Sequence, residues 1–365
     1  MSGLFRLLPA AAMAALLTLW GAGEAPGWRT VPLAESRAVG EEPRSVASLD
    51  EIAREAALSA VEEVGEGKVA PEEIWFTILD ARDPRDPRIG HYQGDALVYP
   101  ASVVKMCYMV AAYDQVATGQ LRMTPDLLSD IRVMMDVSSN TATSRIFDLL
   151  CNTGFGPELE GEALESFEWK KYTVHRYMQA LGLEELFAVN KTYAAGVPLY
   201  GREFVFLGER VADNYEYSNK MSTNATSRLL YMIWRRALVS PEASEEMLEH
   251  MLRGNGRGGS RFLGLLPESA TLYSKPGGTP TCRHDAGIIE LADGGAIIVS
   301  AFSFVRTDDT YPPVIQAATE KALEVLLDQP GELDLATADP DRTLHPEDDE
   351  EDPEEDDEED EDDVE

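Results

Sequence analysis

Apolar positions near the start of the chain recur first at helical and then at strand spacing. The apolar residues of 49–64 recur at roughly helical intervals, which predicts a helix, and the stretch SLDE at its start fits a capping box. Residues 73–81, EIWFTILDA, favour a β-strand, and a weaker strand is predicted over residues 91–100 after the turn-rich stretch DPRDPRIG. The two strands predict a hairpin that leads into a helix beginning near Ser102.

The middle of the chain alternates between helical patterns and two loops. Helices are predicted in the stretches PDLLSDIRVMMDV, SNTATSRIFDLL, KKYTVHRYMQALGL, TNATSRLLYMIWRRAL and SPEASEEMLEHML. Residues 152–168 contain Gly, Pro and Glu and predict an inserted loop. Residues 190–220 have no clean period and predict a long loop, and a loop of that length in a compact domain is usually functional.

The last folded part of the chain predicts three strands and a helix. The strands are ATLYSKPGG, RHDAGIIEL and GAIIVSAFSF, and the helix is PPVIQAATEKALEVLLD. The order is therefore helix, two strands, a helical middle, three strands and a helix. This order predicts an α+β fold whose antiparallel sheet is built from both ends of the chain.

The composition is that of a globular protein with a strongly acidic surface. Hydrophobic residues make up 44% of the 365 residues, and the formal net charge is −35. We expect no nucleic-acid partner, because such a protein repels polyanions. The acidic residues 330–365 predict a disordered, solvated tail, with binding of cations or of a basic partner as the alternative.

The first 25 residues have the features of a secretory signal peptide. One arginine precedes an apolar stretch from Leu7 to Trp20, and Gly23 and Ala25 fit a small-residue cleavage site. An uncleaved membrane anchor is the alternative, although the apolar run is short for a spanning helix. We expect an exported protein, periplasmic or extracellular, with a linker over residues 26–46 and one folded domain over residues 47–329.

Neither the cysteines nor the histidines predict a metal site. Cys107, Cys151 and Cys282 are an odd number, so at least one is unpaired within the chain, and the sequence does not choose a pair. The cysteine spacing fits no metal motif, and the five histidines show no ligand spacing. We therefore expect no metal and no cofactor.

Ser102 and Lys105 are the first candidate for chemistry. They lie three residues apart at the start of a predicted helix, so both side chains would share one face. A lysine in a dry site beside another cation loses its proton more easily and can serve as a base for a serine nucleophile. The alternative is a lysine whose stem packs on the helix while its amine reaches water.

Two further stretches extend this candidate. DVSSNTAT places Ser138 and Asn140 at a predicted helix start, where ordinary N-capping is the alternative. YSKPGGTP places Lys275 at the end of a predicted strand before two glycines, where a tight turn is the alternative. The three stretches in this order resemble the S-x-x-K, S-D-N and K-T-G signature of the penicillin-binding proteins and class A β-lactamases.

The resemblance covers most of residues 48–329 and implies a fold and a mechanism. The implied fold is a five-stranded antiparallel sheet flanked by helices, with an all-helical subdomain and the site between them. The resemblance implies that Ser102 is the nucleophile that becomes acylated and that Lys105 is its base or proton relay. It also implies that Ser138 passes a proton to the leaving nitrogen.

The same resemblance implies the residues that bind substrate. Asn140 would bind the side-chain amide of the substrate and hold Lys105, and Lys275 would attract the substrate carboxylate. The backbone N–H groups of Ser102 and Gly278 would form the oxyanion hole. Gly277 would let the strand edge approach the substrate closely.

The sequence departs from the family pattern at two motif positions. Ser139 replaces the Asp of S-D-N, and Pro276 replaces the hydroxyl residue of K-T-G. Thr279 or Thr281 could supply the missing hydroxyl. Arg283, on the next predicted strand, is a further candidate for binding a carboxylate, with a surface pair of Arg283 and the neighbouring histidine as the alternative.

The base for deacylation is not fixed by a motif. Class A enzymes use a loop glutamate to activate water, and the corresponding loop would be residues 190–220. Glu209 is the best candidate there, Glu203 and Glu216 compete with it, and solvated loop acids are the alternative for all three.

These observations give one leading function and two rivals. The leading function is an exported serine acyl hydrolase of the class A β-lactamase type, acting as a monomer on a small β-lactam. The first rival is a D-alanyl-D-alanine carboxypeptidase or endopeptidase that acts on cell-wall peptides. The second is a catalytically silent binding protein that keeps the pocket.

Overall fold

A computed structural model describes residues 42–65, 67–192, 201–203, 218–254, 259–305 and 314–327. They lie in the second of two units into which the chain divides, Ser36–Glu365, whereas the first unit, Met1–Glu35, lies outside the described residues. The predicted signal peptide, the acidic tail and Glu209 also lie outside them. The division into signal peptide, linker, domain and tail therefore stays a prediction.

A mainly antiparallel six-stranded sheet organises the fold. The strands are β1 (Arg44–Ser45), β2 (Ile74–Ala81), β3 (Arg88–Tyr92), β6 (Thr271–Thr279), β7 (Cys282–Glu290) and β8 (Ala296–Phe304). Their order in the sheet is β1-β3-β2-β8-β7-β6. The α+β prediction is confirmed, with one strand more than the five expected. The extra strand, β1, has two residues, pairs in parallel with β3 and comes from the predicted linker, so it is too short to show a period.

The helices occupy both faces of the sheet. They are α1 (Ala47–Val64), α2 (Lys105–Ala117), α3 (Pro125–Asp136), α4 (Asn140–Cys151), α5 (Gly161–Lys171), α6 (Thr173–Ala180), α7 (Thr223–Trp234), α8 (Pro241–Met251) and α9 (Val314–Leu326). A second, two-stranded sheet joins β4 (Leu186–Phe187) to β5 (Lys220–Met221). Within the described ranges, no helix is long and apolar enough to cross a membrane.

Strand β2 is buried on both faces, which explains its nearly continuous apolar sequence. Trp75 and Leu79 belong to a core shared with α2, α3, α4 and α7. Phe76 and Ile78 point the other way, into a second core with α1 and α9. The sheet therefore separates two cores, and α2, which begins at Lys105, lies deep in the first of them.

Two elements differ from the sequence prediction. Helix α5 occupies the second half of the predicted inserted loop, and only Phe167 and Lys171 of its side chains are buried, so it shows little apolar periodicity. The weaker strand predicted over residues 91–100 is wrong for most of its length. Strand β3 ends at Tyr92 because Gln93 has φ 56°, which leaves the extended conformation, and Val98 makes a single bridge to Met221.

Candidate active site

Ser102 lies on a 3₁₀ turn, Ala101–Val104, that runs directly into α2. The preceding residue, Ala101, has φ 45°, a left-handed conformation that costs an L-residue about 1–2 kcal/mol. Such strain persists where the surroundings impose it, and it often marks functional sites. Ser102 keeps partial exposure while its neighbours Ala101, Val103 and Val104 are buried. The turn therefore presents the serine at the edge of the core.

Lys105 lies one turn after Ser102 and is fully buried. Its Nζ donates to Asn140 Oδ1 over 2.9 Å, to Ser138 Oγ over 3.1 Å and to the Ser138 carbonyl. Three acceptors match the three donors of an ammonium group. The expected alternative, an amine that reaches water, is wrong, because the lysine head lies inside the protein against the second motif.

The backbone around Ser138 explains how one residue offers two acceptors to Lys105. Ser138 has φ 63°, and this left-handed conformation turns both its carbonyl and its hydroxyl towards the lysine. The N-cap of α4 is Ser139, whose Oγ accepts from the Ala142 N–H over 3.2 Å. Ser139, which replaces the Asp of the S-D-N motif, thus caps α4, and the side chains of Ser138 and Asn140 remain available to the site.

Lys275 completes a group of three side chains. It lies on β6, is fully buried, and donates from Nζ to Ser138 Oγ over 2.9 Å and to the Pro276 carbonyl over 3.0 Å. Ser138 Oγ therefore accepts from two lysines that lie far apart in the sequence. A hydroxyl that accepts twice still has its own O–H to donate, so this oxygen can pass a proton to a third group.

Gly277 brings the backbone of β6 against the turn that carries Ser102. A Cβ atom at this position would lie 2.9 Å from the Ser102 N and 3.0 Å from both the Pro100 O and the Val103 N. Real Cβ atoms essentially never come that close to backbone, so only glycine fits. The close approach sets the strand edge beside the Ser102 N–H.

Strand β6 lies at one end of the sheet: β7 pairs with one of its edges, and among the described residues the other edge has only the isolated bridge between Leu252 and Tyr273, so it is open beside Pro276. The Pro276 carbonyl points to that edge, since it accepts from Lys275 Nζ rather than from β7. Proline lacks an N–H, and at an open edge it removes no ladder bond. By strand alternation, Gly278 N–H and C=O face the same edge as Pro276, next to the Ser102 turn.

Thr279 and Arg283 lie on opposite faces of the sheet. Thr279 shares a face with Lys275 and Gly277, and its Oγ1 lies 3.3 Å from Thr281 Oγ1 and 3.1 Å from Cys282 Sγ. Arg283 pairs with Gly278, so its Cβ lies on the other face. Its guanidinium donates to the carbonyls of Thr279 and Cys282 at the end of the hairpin.

His284 lies beside the candidate site, and the sequence analysis did not predict a role for it there. The alternative of a surface pair is wrong for this histidine, which is fully buried opposite Gly277. Its Nε2 donates to the Tyr99 carbonyl over 2.9 Å, and its Nδ1 accepts from the Ser303 N–H over 3.2 Å. Burial lowers the pKa of His284 to about 4. The neutral ring therefore ties β7 to the segment before Ser102, and its inward strand position was the available signal.

Of the three candidate bases, only Glu203 lies among the described residues. It is fully buried, and its Oε2 accepts from Lys171 Nζ over 2.8 Å, while Oε1 lies 3.3 Å from Lys191 Nζ. Glu209 and Glu216 lie outside the described residues. Burial lowers the pKa of Lys171, although Glu203 opposes that shift.

A buried amide joins the two ends of the predicted long loop. Asn219 Oδ1 accepts from the N–H groups of Val189 and Asn190, both over 2.9 Å. Its Nδ2 donates to the Asn190 carbonyl over 2.8 Å and to Tyr108 Oη over 3.0 Å. Tyr108 lies three residues after Lys105 on α2, so the ends of the loop are fastened to the helix of the candidate nucleophile. No sequence motif indicated this contact.

The three cysteines, Cys107, Cys151 and Cys282, are buried free thiols. Burial raises the pKa of Cys107 and of Cys151 to about 12 each, which keeps both thiols protonated and unreactive at neutral pH. Across the part of the chain that the structure describes, no group of three or more His, Cys, Asp or Glu side chains could hold a metal ion.

Two of the three motifs lie in a segment that matches a family model. Residues 124–326 match the model of the β-lactamase enzyme family. The chain belongs to this family. The matched segment of this β-lactamase-family protein includes Ser138, Asn140 and Lys275, whereas Ser102 and Lys105 precede it.

Solved structures with the same fold include proteins of two descriptions. A β-lactamase from Sphaerobacter thermophilus is 18% identical, with a TM-score of 0.55, over 76% of this chain and 98% of that one. A β-lactamase from Xanthomonas campestris pv. campestris is 16% identical, with a TM-score of 0.55, over 76% and 98%. A variant of PBP-A, solved as an acyl-enzyme complex with penicillin G, is 17% identical, with a TM-score of 0.53, over 79% and 100%. No curated protein matches the chain.

Proposed function

We propose that this β-lactamase-family protein is a serine acyl hydrolase that opens β-lactams through an acyl-enzyme on Ser102. The observation that carries the proposal is the placement of Ser138 Oγ, 3.1 Å from Lys105 Nζ and 2.9 Å from Lys275 Nζ. The same site holds Gly277 against the backbone of Ser102. These contacts support the proposal, because Ser102, Lys105, Ser138 and Lys275 meet at one strand edge.

Acylation begins with attack of Ser102 Oγ on the β-lactam carbonyl carbon. For this step the Lys105 ammonium first gives one proton to solvent, and the neutral amine then takes the proton that Ser102 loses. The carbonyl oxygen becomes an oxyanion, which the N–H groups of Ser102 and Gly278 stabilise where the charge develops. The tetrahedral intermediate then collapses, the ring C–N bond breaks, and the nitrogen takes a proton from Ser138.

The lysines replace that proton and hold the substrate. Ser138 regains a proton through its contacts with Lys105 and Lys275. The charge of Lys275 attracts the substrate carboxylate, and the Thr279 hydroxyl on the same strand face takes over the contact that Pro276 cannot make. Asn140 binds the side-chain amide of the substrate while its Oδ1 holds Lys105.

Deacylation needs a base that takes a proton from water. We assign this role to Glu209, which activates water to attack the ester carbon. The ester bond to Ser102 Oγ then breaks, and Ser102 recovers its proton. The Arg283 guanidinium donates to carbonyl groups at the end of the hairpin, so in this scheme it does not bind the substrate carboxylate.

A D-alanyl-D-alanine peptidase is the second candidate. Pro276 removes the hydroxyl of K-T-G, and a slow or absent deacylation base would leave a penicillin acyl-enzyme in place, as in the variant of PBP-A solved with penicillin G. A silent binding protein is the third candidate, and any covalent adduct on Ser102 excludes it. In each case we expect an exported, monomeric protein with a small substrate.

Hydrolysis of a chromogenic cephalosporin tests the proposal. Ser102→Ala is expected to remove turnover, and Lys275→Met to lower kcat/KM about 100-fold through lost charge stabilisation. Lys321→Met is the matched control, since Lys321 is half exposed on α9 and pairs only loosely with Glu324. Equal rates for the wild type and Ser102→Ala would overturn the proposal. Release of D-alanine from a peptide without hydrolysis of the cephalosporin would favour the peptidase.

A further inference from the structure

A buried arginine, Arg253, lies between α3 and the edge of β6 that β7 leaves free. It comes two residues after the end of α8, is 3% exposed, and its side chain has no exposed surface. Its backbone N–H donates to the Leu272 carbonyl over 2.9 Å, next to the isolated bridge between Leu252 and Tyr273. The arginine side chain therefore starts from a backbone that is already fixed against β6.

The Arg253 guanidinium joins two separate segments of backbone. On the strand side, Nε and Nη2 donate to the Ser274 carbonyl over 2.9 and 2.6 Å. On the helix side, Nη2 donates to the Met135 carbonyl over 2.7 Å, and Nη1 donates to the Asp136 carbonyl over 3.4 Å. A guanidinium is a rigid planar group whose donors point in fixed directions, so these contacts set the spacing of the two segments.

The two segments that Arg253 joins also carry Ser138 and Lys275. Ser274 directly precedes Lys275 on β6. Asp136 is the last residue of α3 and lies two residues before Ser138. The 2.9 Å contact between Lys275 Nζ and Ser138 Oγ therefore spans the same gap as the arginine, one or two residues further along each segment.

The short stretch before Ser138 has little side-chain packing of its own. Val137 is 61% exposed, so its side chain does not fix the backbone at this point. Ser138 has φ 63°, and the chain thus leaves the helical path immediately after α3. Lys105 holds Ser138 from the helical side, whereas Arg253 connects the same stretch to the strand of Lys275.

Arg253 also fits an ordinary role in stability. The last carbonyls of a helix have no partner within the helix, and a cation near them interacts favourably with the helix dipole. Met135 and Asp136 end α3, so Arg253 caps the C-terminus of that helix. Any test has to separate this stabilisation from an effect on the chemistry at Ser138.

We propose that Arg253 is a positioning residue for acylation, which holds Ser138 and Lys275 at the separation where the Ser138 hydroxyl passes its proton to the leaving nitrogen. The inference rests on the proposed acyl-enzyme at Ser102. It concerns acylation alone, so it does not depend on which base serves deacylation. Misplacing a reacting group by about 1 Å can slow a reaction about 100-fold, even when the substitution lies outside the reacting groups.

A double-mutant cycle separates positioning from stability. Arg253→Met keeps a long side chain and removes every donor, so acylation at saturating penicillin is expected to slow about 100-fold. In a Ser138→Ala background the same substitution should slow acylation at most about 5-fold, because the hydroxyl that it positions is already absent. The urea midpoint of unfolding should fall equally in both backgrounds, since α3 loses its cap in each.

Arg82→Met is the matched control. Arg82 also holds the end of a helix to the sheet, because its Nη1 donates to the carbonyl of Leu326, the last residue of α9, over 3.0 Å. Its Nε and Nη2 bind Asp80 on β2 over 2.9 and 3.0 Å. Arg82→Met is expected to lower the urea midpoint while the acylation rate stays within about 2-fold of the wild type, because the two sites are independent.

Arg253→Lys covers the case in which Arg253→Met does not fold. Lysine keeps the positive charge at the end of α3, but a single amine cannot bind both segments with the fixed geometry of the guanidinium. We expect this variant to fold and to acylate about 10-fold more slowly than the wild type, with most of that effect lost in the Ser138→Ala background.

Acylation is followed by quenched-flow intact mass on folded protein. Acylation at the wild-type rate by Arg253→Met, or by Arg253→Lys if the methionine variant does not fold, would overturn the inference. An undiminished effect in the Ser138→Ala background would also overturn it, as would an equal slowing by Arg82→Met, which would mark general destabilisation. A wild-type protein that forms no adduct overturns the proposed acyl-enzyme, and the inference with it.

Discussion

Lys275 Nζ lies 2.9 Å from Ser138 Oγ, although 137 residues separate the two in the sequence. The contact joins the edge strand β6 to the segment before α4, and Lys105 on α2 donates to the same oxygen. The hydroxyl of Ser138 is thus one point where polar side chains join the sheet to the helical part of the domain. Its loss should affect chemistry more than folding.

Two adjacent serines provide a matched test of that expectation. Ser138→Ala is expected to slow acylation about 100-fold, since it removes the proton route between the lysines and the leaving nitrogen. Ser139→Ala removes the N-cap of α4 and is expected to lower the free energy of unfolding by about 1 kcal/mol with little change in the acylation rate. Urea unfolding and acylation kinetics on both variants check this; reversed effects would contradict the assignment.

Gly277 should tolerate no side chain. Gly277→Ala places a Cβ 2.9 Å from the Ser102 N, so either the strand or the nucleophile turn has to shift. We expect a loss of about 1–3 kcal/mol in unfolding free energy and a large fall in the acylation rate. Gly67→Ala is the control, because nothing lies within 4 Å of its Cβ. Full activity of Gly277→Ala would show that β6 does not lie against Ser102 as described.

His284 should make the protein less stable in mild acid. The pKa of this histidine is about 4 in the folded state and about 6.5 when exposed, so only the unfolded chain binds the proton between these values. Stability contributed by the neutral ring is complete above pH 6.5 and is lost as pH falls to 4. That loss is about 3 kcal/mol.

The histidine's contribution can be isolated by comparison with His284→Gln. Unfolding free energies at pH 7 and pH 4 should differ by about 3 kcal/mol less in the variant than in the wild type, because glutamine does not titrate. Carboxylates titrate in both proteins and cancel in this comparison. An unchanged difference would mean that His284 is accessible to protons in the folded state.

Asn219 should be important for stability despite being uncharged. Asn219→Ala leaves the Val189 and Asn190 N–H groups without their buried acceptor, and we expect a loss of about 2–4 kcal/mol in unfolding free energy. Tyr108→Phe removes one hydroxyl from the same group and should cost less, about 1 kcal/mol. Thermal and urea unfolding measure the loss of unfolding free energy in both variants. Equal losses would indicate that the Asn219 amide contributes no more than the Tyr108 hydroxyl.

The sequence predicted the elements that carry strong periodic or motif signals. The strand patterns of β2, β6, β7 and β8 and the helical patterns between them were sufficient for the fold class, whereas the expectation that Asn140 holds Lys105 came from the resemblance of the three motifs to the penicillin-binding proteins and class A β-lactamases. Local signals of this kind depend on neighbouring residues alone. They failed for β1, which has two residues, and for α5, whose surface is largely polar.

The remaining features depend on contacts between distant segments. The cluster of Lys171, Lys191 and Glu203 looks like ordinary surface charge in an acidic chain, and only the fold shows that all three side chains are buried. His284 and Asn219 likewise form no motif, since their partners are backbone groups elsewhere in the chain. Polar residues buried by tertiary structure have no local period, so sequence patterns do not reveal them.

Intact mass of the protein after mixing with a penicillin, followed from seconds to hours, tests the central claim most directly. The account predicts a mass increase of one penicillin that appears and then decays, and no increase on Ser102→Ala. An increase that persists would contradict the proposed deacylation and favour a peptidase. No increase on the wild type, or the same increase on Ser102→Ala, would contradict the claim that Ser102 is the acylated nucleophile.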